Sequence, residues 1–422
     1  MKKFRGIPTL VSMLLMAGMA FGAAARAETS LFDSGNYTAW IDLRLSQTDG
    51  ERGWLDGGFG KLRHSDETAA DIAQAAILWK PQLTDTLSGY VLLQGVSDAE
   101  VPVGVEEAYL QWKPVPESGF RYGLRLGQMF PPISMEHDGT GWTTPRSLTP
   151  SAINSWVGEE VLVRGLEVNV QQSFAGHIVG LTLGGFTRDD TAGTLLSWRG
   201  WALHDMSSAE NTELKLPDGE NQGWYRIFGN YQSPVSKPMV ELDGRLGYYV
   251  RMDWRPPAPV AFNLEFYYNQ GDPMAIRNGQ WGWATRFYNL GAAYRLTMKD
   301  EVLSQYMTGR TATGWPAGQG YRVVDSGFES AYLLLSHRCD NGSRLTGRVD
   351  YFAVKDHSWR SVDDNGETGY SATLAWMKPV GDYLDLGIEA LHVISDRPAR
   401  VTHGLSPQQA QTQLQIALKW HL

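Results

Sequence analysis

A period of two runs along this chain from residue 37 to its last residue. Leu414, Ile416, Leu418, Trp420 and Leu422 alternate with Gln413, Gln415, Ala417, Lys419 and His421. Alternation of this kind puts an apolar face and a polar face on opposite sides of an extended strand. It recurs at 37–46, where Ile41, Leu43 and Leu45 oppose Asp42, Arg44 and Ser46, and at 120–127, where Phe120, Tyr122, Leu124 and Leu126 oppose Arg121 and Arg125. Over 240–254, Val240, Leu242, Leu246, Tyr248, Val250, Met252 and Trp254 oppose Glu241, Asp243, Arg245, Arg251 and Asp253. Leu345, Val349 and Tyr351 oppose Arg344, Thr346, Arg348 and Asp350, and 384–390 repeats the theme. The polar faces mix arginine with carboxylate, and Trp79, Trp112, Trp254, Trp376 and Trp420 stand at strand ends. Aromatics belong there when a β-barrel crosses two lipid–water interfaces. The pattern predicts an all-β chain folded as a transmembrane antiparallel β-barrel.

Residues 1–27 are set apart from this pattern. Lys2, Lys3 and Arg5 precede an apolar stretch over about 10–21, and Ala25-Arg26-Ala27 follows. These are the three parts of a secretory signal peptide, and the apolar stretch is shorter than the roughly 20 residues a spanning helix needs. Cleavage after Ala27 leaves 422 less 27, or 395 residues, as one barrel domain over 28–422. Losing Lys2, Lys3, Arg5 and Arg26 takes the net charge from −9 to −13. No later apolar run reaches spanning-helix length, which leaves the closed barrel as the membrane-spanning solution. The 16 Trp suit the same interfacial girdles.

Connection lengths alternate as well. Short turns fall near 80–86, 113–119, 298–301, 339–343 and 378–382, with long polar connections at about 48–68, 130–158, 188–222, 311–326, 356–367 and 395–410. Outer-membrane barrels show this asymmetry, with tight periplasmic turns and long extracellular loops. A direct count gives 17 strands, and the even number such barrels require makes it 16, with 18 as the alternative. The discrepancy lies between 188 and 260, where Pro-containing links at 233–238 and 255–259 follow one another. A barrel of 16 to 18 strands encloses an aqueous channel.

Little in the sequence speaks for catalysis. G-x-S-x-G, H-E-x-x-H and P-loop patterns are absent, and the nine His are scattered. The single Cys, Cys339, rules out an intramolecular disulfide framework or a Cys-rich zinc module. A pI near 5.5 argues against nucleic acid. Asp363-Asp364-Asn365-Gly366 reads as a turn rather than a calcium loop. No catalytic residue, cofactor or metal is predicted. The connection 130–159 is the best functional candidate. It opens on Phe130-Pro131-Pro132 and carries Glu136, Asp138, Trp142, Arg146, Trp156, Glu159 and Glu160. Long loops without regular secondary structure tend to be functional or disordered, and this one has too many aromatics for disorder. It is expected to fold into the lumen and narrow it, facing wall arginines drawn from Arg44, Arg121, Arg125, Arg245, Arg251, Arg344 and Arg348.

The decapeptide from Gly127 through Met129-Phe130-Pro131-Pro132 to Glu136 resembles the strand-to-loop signature of the phosphate-selective porin O and P family, within a similar region of about 105–190. The resemblance implies a 16-stranded channel, often a homotrimer, whose following loop forms a constriction. That family's selectivity goes with arginine ladders and lysine clusters, whereas the chain after Ala27 has 24 Arg, 9 Lys and 46 carboxylates. The expected function is an outer-membrane porin for passive diffusion of small hydrophilic or charged solutes. Its partners would be outer-membrane lipid and the assembly machinery that reads the C-terminal strand, 411–422. One alternative is a sugar or oligosaccharide channel using Trp40 and Tyr249 for stacking. Another is a plugged barrel serving as a surface receptor or adhesin. Strand one begins soon after the cleavage point, so no N-terminal plug of the energised-transporter kind is expected.

Overall fold

The computed structural model describes residues 31, 33–64, 68–116, 119–217, 232–314, 322–358 and 364–422. The leader reading of residues 1–27 and the Asp363 end of the proposed turn lie outside the described residues. Sixteen antiparallel strands form one closed barrel: β1 (Tyr37–Asp49), β2 (Thr68–Trp79), β3 (Leu87–Gly95), β4 (Val103–Trp112), β5 (Phe120–Met129), β6 (Val163–Phe174), β7 (His177–Thr187), β8 (Gly247–Arg255), β9 (Val260–Tyr268), β10 (Ala284–Arg295), β11 (Asp300–Gly314), β12 (Arg322–Arg338), β13 (Arg344–Asp356), β14 (Glu367–Pro379), β15 (Leu384–Asp396) and β16 (Gln408–His421). Each pairs with its neighbours in sequence, and β1 closes the ring on β16, with Ile41 opposite Trp420 and Leu45 opposite Ile416.

Parity decides which side chains face out. Leu43 (48% exposed) and Ile416 (45%) stand on the outer surface, while their sequence neighbours Arg44 and Gln415 are buried inside. A continuous exposed apolar belt is costly in water. In hydrocarbon it is stable, because ring closure leaves no unpaired strand edge. The belt has two different rims. Trp79, Trp112, Trp254, Trp376 and Trp420 all lie toward the short-turn ends of their strands, where exposed Tyr122, Tyr294 and Tyr383 also stand, whereas exposed Tyr248, Tyr288 and Tyr370 are nearer the other end. Trp40, Trp54, Trp142, Trp156, Trp201, Trp281 and Trp283 are buried. The high Trp content is therefore shared between the girdle and the filling of the barrel, a role the composition did not reveal.

The strand order also resolves the disputed region. β7 pairs directly with β8, so the described residues between 188 and 246 contribute no barrel strand, and the apparent link at 233–238 lies among them, where Leu214–Lys215 pairs with Val235–Ser236 in a two-stranded patch. Only the turn at 256–259 is a true strand-to-strand link. β8 starts at Gly247, so Val240 to Leu246 are not strand, and Arg245 belongs to this loop rather than to the lumen wall. Gly244, at φ +75°, breaks the extended run just before it. A further long connection at 269–283, with its own small hairpin of Ile276–Arg277 and Gln280–Trp281, carries no period-two signature. At the short-turn end the tightest link is Ala175-Gly176, both with positive φ, as a two-residue hairpin requires.

Candidate functional site: the loop-filled lumen

The connection 130–162 leaves β5 and turns into the barrel. Asn289 Nδ2 (β10) and Gln305 Nε2 (β11) donate to the Ile133 carbonyl at 3.2 and 3.0 Å, and Met135 N donates to Gln305 Oε1 at 3.0 Å. Arg251 (β8) donates to the Pro132 carbonyl. The path then reaches the far wall. Leu148 N and Thr149 N donate to the Glu389 carboxylate (β15) at 2.7 and 3.1 Å. Arg348 (β13) is the centre of this bracing. It contacts Glu136 at 3.2 Å and Asp350 at 2.9 Å, and donates to the Thr149 and Pro150 carbonyls at 2.7 and 2.9 Å. Burial alone would raise the Glu136 pKa, but the Arg348 charge and the Ser151 and Asn154 donors hold it below the usual carboxylate range. Arg146 spans Asp138 (2.7 Å) and Glu301 (2.9 Å), and Arg344 meets the same Glu301 at 2.6 Å.

After Ser151 the loop becomes a helix, α1 (Ala152–Glu160), contrary to the expectation of an irregular segment. Ser151 Oγ caps it, accepting from Asn154 N, and Ala152 N donates to Asp350 at 3.3 Å. All nine helical residues are buried. At its C-terminal end Glu159 pairs with Arg199 at 2.6 Å and His204 at 3.1 Å. Burial pushes the Glu159 pKa up, yet these two neighbours bring it to about 2. Glu160 accepts from Gly193 N and Leu195 N, both at 3.0 Å, and from Trp156 Nε1 at 2.7 Å; burial leaves its pKa at about 7. These bonds dock residues 189–209 of the β7–β8 connection onto α1. Trp156, Trp201, Phe287 and Phe328 pack together there, with Trp156 and Phe328 centroids 5.2 Å apart.

The predicted site residues divide by location. Glu136, Asp138, Trp142, Arg146, Trp156, Glu159 and Glu160 lie in the inward loop, with Trp142 stacked on His137 at 4.0 Å. Among the wall arginines, Arg251 and Arg348 bond this loop directly and Arg344 reaches it through Glu301. Arg125 pairs with Glu167 at 2.6 Å and sits 5.4 Å from the Tyr109 ring centre. Arg44 pairs with Asp42 and with Asp205 of the β7–β8 connection. Arg121 is exposed near the short-turn end of β5 and makes no ion pair with a described residue, and Arg245 contacts Asp272 at 2.8 Å in the outer loops. Trp40 and Tyr249 do face inward, but they are 1% and 2% exposed. Trp40 Nε1 donates to Gln74, and the Tyr249 hydroxyl donates to Glu167 while its ring lies over Gly184. Neither offers a free stacking face for sugar.

The sequence reading missed Arg63, Asp98, Arg199 and Asp205. All four lie in loops, and no period-two alternation marks them. Asp190, Glu241 and Asp243 bring carboxylate oxygens within 4.8 Å of one another. Those groups already accept backbone N–H bonds from Leu242, Gly244 and Arg245. Asp364 and Asn365 behave as turn residues, with Gly366 N donating to Asp364 at 2.8 Å.

These features define a transmembrane β-barrel of the outer-membrane type, its lumen crossed by an inward loop. No family model matches the sequence, and no curated protein matches it. Solved structures do match in fold. The outer membrane channel DcaP of Acinetobacter baumannii superposes with a TM-score of 0.53 at 10% identity, covering 92% of this chain and 96% of that one. An anion-selective porin from Comamonas acidovorans gives 0.49 at 10% identity (92% and 98%). A loop L8 deletion mutant of OmpT, an outer membrane protein of Vibrio cholerae, gives 0.49 at 7% identity (92% and 98%).

Proposed function

We propose that this protein is a porin-type channel of the bacterial outer membrane through which small hydrophilic or charged solutes diffuse passively, acting as a conduit and not as a catalyst. The observation that carries this reading is the bracing of the 130–162 loop across a closed polar lumen by Arg348, Glu136, Asp350 and Glu389. A loop fixed on both sides of a barrel sets pore width and lines it with charge. Each arginine paired inside is matched by carboxylate: Arg44 by Asp42 and Asp205, Arg125 by Glu167, Arg251 by Asp253, Arg344 by Glu301, and Arg348 by Asp350 and Glu136. The likeness to phosphate-selective porins therefore extends to architecture and the inward loop, and the solute preference assigned here is cationic. A homotrimer is part of the same reading, and a monomer by light scattering in detergent would remove it.

The aromatic packing of Trp156, Trp201, Phe287 and Phe328 favours a second reading, a plugged barrel whose outer loops act as a receptor. Planar-bilayer recordings of the purified protein under a KCl gradient decide between the two. Steady ohmic current with a cation-selective reversal potential is expected. Anion selectivity, or block by added phosphate, would overturn the cationic assignment, and a folded but silent barrel would leave the plugged reading.

A further inference from the structure

Two clefts open against the inner wall, one beside β1, β2 and β14–β16 and the other beside the outer ends of β3 and β4. The lower lies toward the short-turn end and holds about 570 Å³ counting its open mouth, with Asp42, Arg44, Gln74, Asp205, Asp385 and Lys419 in its lining. The upper holds about 580 Å³ counted the same way and is lined in part by Gln94, Asp98, Gly104, Met206, Ser207 and Lys215.

A continuous charged seam joins them. Arg44 grips Asp42 with two bonds at 2.9 and 3.0 Å, then reaches Asp205 Oδ2 at 3.0 Å. The other oxygen of Asp205 accepts from Arg63 at 2.9 Å. Arg63 in turn holds Asp98 at 2.5 and 2.9 Å, so its guanidinium serves the carboxylate of one cleft and that of the other. Gln74 donates to Gln94 at 3.2 Å beside the seam. Elsewhere in the lumen, Arg348 and the cluster of Trp156, Trp201, Phe287 and Phe328 are buried.

Resting on the porin reading above, we propose that permeation follows this seam from one cleft to the other, and that Asp205, shared by Arg44 and Arg63, is both its gate and its cation-selecting group. The solute class follows from the charge order Asp42, Arg44, Asp205, Arg63, Asp98. The seam has three carboxylates and two guanidiniums. A small ammonium or guanidinium solute can stand in for an arginine between two carboxylates. An anion would have to displace a tethered Asp205 while flanked by Asp42 and Asp98. At the lower mouth Asp385 and Lys419 are direct cross-strand partners, and Asp385 contacts His421 at 2.6 Å.

Asp205→Asn tests the proposal, because it keeps the side-chain size and leaves Arg44 with Asp42 and Arg63 with Asp98. In KCl the variant should conduct at least twofold more than wild type, with at least a twofold drop in cation-over-anion permeability. A second variant, Thr144→Cys in a Cys339→Ser background, places a thiol in the lower cleft, and a bulky thiol reagent should then remove most of the current. A silent wild type with a conducting Asp205→Asn variant also supports the gate. A conducting wild type whose current neither manipulation changes overturns this route and leaves the porin reading standing. Heat-modifiable but silent wild type and Asp205→Asn overturn both.

Discussion

The Arg348 side chain has no exposed surface, and its guanidinium donates to Glu136, to Asp350 and to two loop carbonyls. Removing one member of a buried ion network leaves uncompensated charge, at a cost of about 3–5 kcal/mol. Arg348→Ala should therefore lower the unfolding free energy in urea by about that amount, and a loss below ~1 kcal/mol would mean the network contributes little. Arg125 and Arg121 provide a paired contrast. They sit on the same face of one strand, yet Arg125 is bidentate on buried Glu167 whereas Arg121 is exposed. Arg125→Ala should destabilise by about 2 kcal/mol or more, and Arg121→Ala should stay within about 0.5 kcal/mol, both read from the same urea curves. At this scale the sequence told which face Arg44, Arg125, Arg251, Arg344 and Arg348 occupy, because parity sets that inside a strand, and it misplaced Arg245, which lies in a loop. It did not tell the partner, since Arg348 and Glu136 are 212 positions apart and nothing local to either marks the pair.

The strands were legible and the fillings were not. A strand half in lipid must alternate, whereas α1 is buried on every side and so has no amphipathic stripe to read. Its one local mark is the Pro150-Ser151 start with Ser151 as cap. The reverse error occurred at 240–246, where alternation survives in a loop because Gly244 alone interrupts it. The inward loop also carries its own acid sensitivity. Burial pushes the His137 imidazole down to about 4 against the pull of Glu136 and Asp138. Between pH 6.5 and 4 the unfolded loop takes up a proton that the docked His137 refuses, so this group weakens docking as pH falls through that window, while Glu160, raised to about 7, takes up its proton in the docked loop between about pH 7 and 4.5 and offsets that loss. Glu159, held at about 2, adds a second loss only between about pH 4.5 and 2. The fluorescence of Trp142, which stacks on His137, should change in the upper window in wild type and lose that component in His137→Asn. A single transition below pH 4.5 in both proteins would contradict the assignment.

The whole molecule is a ring whose outer surface meets lipid and whose inner surface meets its own loops, and adjacent residues of one strand report the two environments separately. Ile416 lies outward at 45% exposure, opposite Leu45 on one side and Ile388 on the other, at the middle of the apolar belt. Gln415 faces inward, bonded to Arg44 and Thr149. A cation at the bilayer midplane costs about 2–4 kcal/mol, falling to about 0–1 near the interface. Ile416→Arg should lower stability in phospholipid vesicles by about 2–4 kcal/mol, and the same change at Leu422, beyond the tryptophan rim, by at most about 1. In short-chain detergent the gap should narrow, because a micelle lets the side chain reach water over a shorter path. Gln415→Leu should behave oppositely: its cost arises from polar bonds lost inside the barrel and so should be the same in vesicles and in detergent. Equal penalties for Ile416→Arg in the two media would place β16 outside the membrane, and with it the reading of this barrel as a channel.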